Sequence, residues 1–222
     1  MKVILSTVTI LFLVCAGPAA RASLIVNGSF ESGPSLGPSL AIVVPKPSSP
    51  TISPFAITGW EVTVEEVDYI QSGAFSGFFT DNSGLLAQDG IRFIDLTGGD
   101  DGFATIQQTV MLQVGMFYQL DFWIGGSDRF LQYGDAGDPG VVVSISGLAD
   151  TTASGSRSAP NDWQLNTLNF VAQEKFTTIA FSGLQQDLCC YIGLDNVSLR
   201  KVPEPSSVLL IGVGLAGMMR RR

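Results

Sequence analysis

The stretch Tyr118-Gln119-Leu120-Asp121-Phe122-Trp123-Ile124 decides the fold. Tyr118, Leu120, Phe122 and Ile124 alternate with Gln119, Asp121 and Trp123. A period of two sends the first set to one side of a β-strand and the second to the other. Such a strand suits a sheet with one buried face. Further along, Leu168 and Phe170 alternate with Asn169 and Val171 in the same way. Helical periodicity is nearly absent. The informative segments are short, β-branched or aromatic, and bounded by Gly, Asp, Asn or Ser. They predict strands near Gly59–Ile70, Gly90–Leu96, Ala104–Leu112, Phe117–Ile124, Val141–Ser146, Leu165–Ala172, Thr177–Ser182 and Gly193–Arg200. Eight or nine strands in one body predict an all-β, antiparallel β-sandwich of the jelly-roll kind. Residues 32–54 carry many prolines and serines and read as a long loop leading from the first strand into the sandwich; residues 126–140 read as a second loop.

The chain ends differ from this body. Lys2 gives a positive start, Val3–Ala16 an apolar run, and Ala20-Arg21-Ala22 a small-x-small cleavage pattern. Residues 1–22 therefore read as a signal peptide, with the mature chain starting at Ser23. Cys15 stands inside the apolar run behind the bulky Val14, which disfavours lipidation there. At the other end, Ser206–Met219 is fourteen residues without a charge, followed by Arg220, Arg221 and Arg222. As a helix it would span roughly 21 Å at about 1.5 Å per residue, short of a ~30 Å hydrocarbon core. It could cross by thinning the bilayer, with the arginines held on the cytoplasmic side. Val202-Pro203-Glu204-Pro205, the short apolar segment and the arginine cluster together resemble the PEP-CTERM sorting signal of exported bacterial proteins. That resemblance implies a tripartite tail over 202–222, with a transmembrane segment at 206–219 and a basic end at 220–222. It implies recognition by the export machinery and by an exosortase that cuts near Pro203-Glu204-Pro205. The membrane contact would then be transient, and the mature protein would reach the cell surface or the extracellular space.

Between the two signals lies one domain, residues 23–201, large enough for a real core. The whole chain carries a net charge of −8. Counting residues 23–202 alone gives seven Lys+Arg and nineteen Asp+Glu, hence 7 − 19 = −12. This excess of negative charge disfavours nucleic acid and anionic lipid as partners of the body. No histidine is present, which removes Ser-His-Asp triads and histidine metal ligands. The cysteines of the body are the adjacent pair Cys189 and Cys190, so a zinc site is not expected. Export favours their oxidation, but a vicinal disulfide, free thiols and a bridge to another chain all stay open.

Asn27-Gly28-Ser29-Phe30-Glu31 opens the body and Leu194-Asp195-Asn196-Val197-Ser198-Leu199 closes it. With Gly59-Trp60, Ala87-Gln88-Asp89-Gly90, Ile94-Asp95-Leu96, Ile106-Gln107-Gln108 and Trp163 between them, the order resembles galactose-binding-like jelly rolls of the carbohydrate-binding-module type. The resemblance implies a non-catalytic, sugar-binding role. It also implies a structural calcium ion where the first and last strands meet, with Glu31 and Asp195 as side-chain ligands and Asn27 as a further one; oxygen-only ligands suit calcium. The bland reading of the same residues is that Glu31 caps a turn and Asp195 accepts backbone hydrogen bonds. Trp60 and Trp163 stand where the family places core residues. Trp123 is phased opposite to Phe122 and Ile124, and with Phe130 and Tyr133 it is the expected glycan contact. Two other functions stay in view: a structural matrix or biofilm component without a discrete ligand, and a glycoside hydrolase. Hydrolysis would need paired carboxylates across a cleft. Glu65-Glu66, Asp100-Asp101 and Asp135/Asp138 supply pairs, but in turn-like settings, so no enzyme is expected.

Overall fold

The computed structural model describes residues 22–37, 40–46, 52–78, 84–98, 104–127, 137–159, 161–184 and 191–202. Among the described residues eleven strands follow in chain order: β1 (Ala41–Pro45), β2 (Glu61–Val64), β3 (Glu66–Gln71), β4 (Arg92–Asp95), β5 (Thr105–Met111), β6 (Phe117–Gly126), β7 (Gly140–Ile145), β8 (Thr151–Ser154), β9 (Asp162–Val171), β10 (Phe176–Leu184) and β11 (Gly193–Lys201). One sheet has the order β1-β3-β4-β11-β6-β9 and the other β2-β5-β10-β7-β8. Their pairings are antiparallel. From β4 to β7, and again from β8 to β11, each strand lies in the opposite sheet from the one before it. This alternation wraps the chain around a shared core and is the expected jelly roll.

The alternation read at 118–124 sets the inner face. Leu120, Phe122 and Ile124 are fully buried, while Gln119, Asp121 and Trp123 lie on the outer face of β6. Across the core, Phe122 packs edge-on against Phe181 of β10, centroids 5.1 Å apart. Phe181 meets Trp60 at 6.2 Å, and Trp60 meets Phe30 at 5.2 Å. Trp60 is therefore a core residue, and its indole N–H donates to the Asn27 carbonyl at 3.0 Å. Burying one such aromatic side chain stabilises the fold by roughly 1.5–3 kcal/mol.

Three parts of the expected strand pattern change. The span 32–54 is not all loop, because Ala41–Pro45 forms β1 and pairs with β3. Its short Ile-Val-Val run is strand-forming, and Pro45 is tolerated at the end of an edge strand. The prolines around it hid the signal. The single strand expected over Gly59–Ile70 is two strands in different sheets. They part at Glu65, whose φ of 49° is left-handed. Glu65 holds Lys46 twice, through its carbonyl to the Lys46 amide at 2.8 Å and through its carboxylate to Nζ at 2.6 Å. Finally, β8 is short, polar and exposed on the edge of its sheet, so no apolar alternation marks it.

A second, smaller apolar cluster covers part of the outer face of the six-stranded sheet. Ile70, Ala74, Leu85, Phe93 and Tyr191 form it, with Trp163 packed against them. A Cβ at Gly125 or Gly193 would fall 2.5 Å and 2.8 Å from the Trp163 ring. These two glycines face each other in register on β6 and β11, and the indole lies over the gap they leave. Its edge contact with Phe93 is 5.5 Å between centroids. Trp163 is thus a packing residue on the sheet's outer side rather than in the main core.

Candidate functional site

Two regions collect the residues that the sequence singled out. The first joins the ends of the domain. The Val197 amide donates to the Gly28 carbonyl at 2.8 Å, and the Leu24 amide to the Leu199 carbonyl at 2.8 Å. The opening turn and the last strand therefore meet; the resemblance implied a first strand at this place, where residues 23–31 form a turn. Asn27 shapes that turn. Its amide nitrogen donates to the carbonyls of Ser32 and Thr58, and its Oδ1 accepts from the Ser32 amide. Glu31 Oε1 accepts from the amides of Ile91 and Arg92 at 2.7 and 2.8 Å. Asp195 Oδ2 accepts from the amides of Gln88 and Asp89 at 2.8 and 2.9 Å, and its Oδ1 from its neighbour Asn196 at 2.7 Å. The two carboxylates thus grip one loop, residues 87–92, from both sides.

A calcium ion shared by Glu31 and Asp195 would meet these amides at both oxygens of Asp195, while on Glu31 the amides take Oε1. Five peptide N–H groups already point their positive ends at them. Among the described residues, no group of three or more His, Cys, Asp or Glu is arranged to hold a metal. In this arrangement the two carboxylates act as a clasp for backbone amides. Asp195 is fully buried. Burial pushes its carboxyl up to about 7, against the pull of the three amides and with a further push from Asp89.

The second region is the open part of the six-stranded sheet's outer face. Trp123 sits in register between Asp195 of β11 and Leu165 of β9. It is half-buried, and Leu165 is exposed. One step along, Asp121 collects three donors. Gln119 Nε2 and Thr167 Oγ1 reach its Oδ1 at 2.8 and 2.7 Å, and Arg200 Nη1 reaches its Oδ2 at 2.6 Å. Arg200 and Asn169 flank Gln119 in the next register row. An indole beside a fixed set of amide, hydroxyl and guanidinium groups can bind a ligand with an apolar face and a hydroxylated rim. The alternation at 118–124 already placed Asp121 beside Trp123; nothing in the sequence showed that Thr167 and Arg200 would join them.

Phe130 and Tyr133, expected beside Trp123, lie outside the described residues. So do Cys189, Cys190, Asp100, Asp101, Asp135, residues 1–21 of the expected signal peptide, and the sorting residues Pro203, Glu204, Pro205, Arg220, Arg221 and Arg222. The sequence did not reveal a closer acidic pair. Asp68 and Asp95 are cross-strand neighbours on β3 and β4. Burial, then Asp95 and Glu66, push Asp68 up to about 6. Asp95 Oδ1 accepts from Thr97 and from the Ile192 amide, so it serves to tie β4 to the chain entering β11. A cavity of about 290 Å³, lined by Asp138, Gly140, Thr152, Ala153, Ser154 and Leu184, opens on the β7–β8 edge of the other sheet.

Residues 23–200 match the family model described as "Protein of unknown function (DUF642)". The chain belongs to the DUF642 family. Residues 201–222, which follow the DUF642 domain directly, match the PEP-CTERM protein-sorting motif. That motif marks an exported protein, bound for the cell surface or the extracellular space. Over 152 residues the DUF642 chain is 31% identical to Halomucin of Haloquadratum walsbyi; the match takes in 68% of this chain and 1% of Halomucin's length. Among solved structures, TmCBM61 in complex with β-1,4-galactotriose is 16% identical, with a TM-score of 0.48 over 82% of this chain and 100% of that one. A family 16 carbohydrate-binding module is 18% identical, with a TM-score of 0.45 over 80% and 99% of the two chains.

Proposed function

We propose that the DUF642 domain is a non-catalytic module that binds a neutral polysaccharide on the outer face of its six-stranded sheet, and that an exosortase processes the chain at its C-terminus. The observation that carries the binding reading is the placement of Trp123, held on that face beside the Gln119–Asp121–Thr167–Arg200 network. A sugar ring offers an apolar face for the indole and hydroxyls for the polar groups. The sorting motif supports the setting, because it sends the protein to where such polymers are found. Cleavage by an exosortase predicts that secreted material lacks Arg220–Arg222, which C-terminal peptide mass spectrometry reads directly.

The test is a panel of soluble β-galactan, xylan, β-glucan and bacterial exopolysaccharide, titrated against residues 23–202 with calcium and then with chelator. Wild type is expected to bind at least one polymer. Trp123→Ala is expected to lose roughly tenfold or more in affinity while keeping its melting temperature. Unchanged affinity in a folded Trp123→Ala variant would remove Trp123 from the site. Absence of binding by a folded wild type would favour the structural matrix role. The calcium proposal has its own readout in the same samples. An ion bound to the native state must raise the melting temperature, whereas the amide clasp predicts no change. New reducing ends in the incubated polymers would overturn the non-catalytic reading and direct attention to Asp68 and Asp95.

A further inference from the structure

The end of the sandwich from which the chain leaves β11 carries a cluster of exposed apolar side chains. Two turns lie side by side there. The Leu112 amide donates to the Lys175 carbonyl at 2.8 Å, and the Gly115 amide to the Ala172 carbonyl at 2.8 Å. Their large apolar residues point outward: Met111 is 65% exposed, Val114 57%, Phe117 47% and Phe176 64%. Met111 and Phe176 are register partners across β5 and β10. Lys175 Nζ lies 5.5 Å above the Phe176 ring, and Lys201 Nζ donates to Gln113 Oε1 at 2.6 Å on the same end. Glu174 precedes Lys175 directly, Asp150 lies in the turn between β7 and β8, and both are exposed. A cluster of apolar tips with amphipathic lysines beside them is costly in water and suits the headgroup boundary of a bilayer, where lysine stems lie along the apolar layer and the ammonium groups reach the phosphates.

The chain itself says what covers this patch. The Val202 amide donates to the Phe117 carbonyl at 2.9 Å, so the last described residue sits within the patch. Residues 203–205 alone separate it from the uncharged segment 206–219. Three residues reach at most roughly 10 Å. Once 206–219 enters a membrane, the exposed tips can be no more than one short tether from its surface.

We propose that this end, formed by Met111, Val114, Phe117 and Phe176 with Lys175 and Lys201, docks on the lipid bilayer while the sorting tail is still attached. The inference rests on the tail's insertion, which the processing step under Proposed function also requires. Docking holds Val202-Pro203-Glu204-Pro205 at the membrane surface and turns the opposite end of the sandwich, with the β7–β8 cavity, away from it. The anchor orders the contact rather than any net attraction, because the body as a whole is acidic.

The test uses the full chain on vesicles of phosphatidylethanolamine and phosphatidylglycerol, read by flotation and by amide hydrogen exchange. Peptides covering 110–118 and 171–177 are expected to exchange about tenfold more slowly on vesicles than in detergent-free solution, while a peptide covering 137–145 is unchanged. The exposed-site double variant Val114→Ser, Phe176→Ser is expected to float equally well and to lose that protection. Equal exchange of the tips on floating and free protein would overturn docking and leave tail insertion standing. A chain that does not float would overturn both. Protection that grows with protein concentration without lipid would overturn docking in favour of a second copy as the occupant.

Discussion

Gly28→Ala is expected to lower the stability of the domain by more than about 3 kcal/mol. A Cβ at this position would stand 1.8 Å from the Val197 carbonyl oxygen and 2.9 Å from its carbon. Both atoms are backbone, and Val197 is itself buried in the core of the six-stranded sheet. No side chain can turn aside to make room. Either the opening turn or β11 must move, and the Val197-to-Gly28 hydrogen bond is lost with the movement. Gly77→Ala is the control, since a Cβ there meets nothing within 4 Å. It is expected to change stability by no more than about 0.5 kcal/mol. Urea unfolding of both variants reads the difference as a shift in midpoint at constant slope. A wild-type midpoint for Gly28→Ala would show that the two chain ends are not joined as described.

Removing the Asp195 carboxylate should cost nearly as much. Asp195→Ala leaves the amides of Gln88, Asp89 and Asn196 without their acceptor, beside a fully buried position. A loss of roughly 3 kcal/mol follows from three part-buried donors left without their acceptor. The same residue gives the domain a pH dependence with a definite sign. Its carboxyl titrates near 7 in the fold and near 3.8 as a free side chain, so the folded state holds more protons between those values. The stability this contributes is fully present below about 4 and is lost as the pH rises through about 7. Asp68, pushed to about 6, acts in the same direction. The melting temperature is therefore expected to fall between pH 5 and pH 8, and the fall should be shallower in Asp195→Asn. A melting temperature that climbs over this interval would mean that the buried carboxyl is held ionised.

The alternation in 118–124 carried the fold because one face of β6 is buried and the other is not. The same alternation places Trp123 outward. What stayed hidden depended on partners distant in sequence. Asp121 meets Thr167 and Arg200 only through the pairing of β6 with β9 and β11. Glu31 and Asp195 were legible as belonging to one end of the domain. Their partners were not, because backbone amides carry no residue signature. β1 was lost among prolines, and the break at Glu65 was lost because a single left-handed residue leaves a continuous β-branched run on the page. Trp163 was legible as a packing residue, but its bed of Gly125 and Gly193 is a matter of register alone.

The position of β11 also determines how the domain carries load. It lies between β4 and β6, and its last residue, Lys201, leads directly into the sorting tail. Anything that holds the protein by that end pulls along the axis of an interior strand. The bonds to β6 run from Gly193 opposite Gly125 to Lys201 opposite Tyr118, and they lie across the line of pull. Such a strand has to slide, with its bonds strained together, where an edge strand such as β1 would peel open one bond at a time. Under such a pull, persistence of the fold is set by the rate of forced unfolding and not by equilibrium stability alone. Held by its C-terminal end, the domain would be loaded along an interior strand and not along an edge strand.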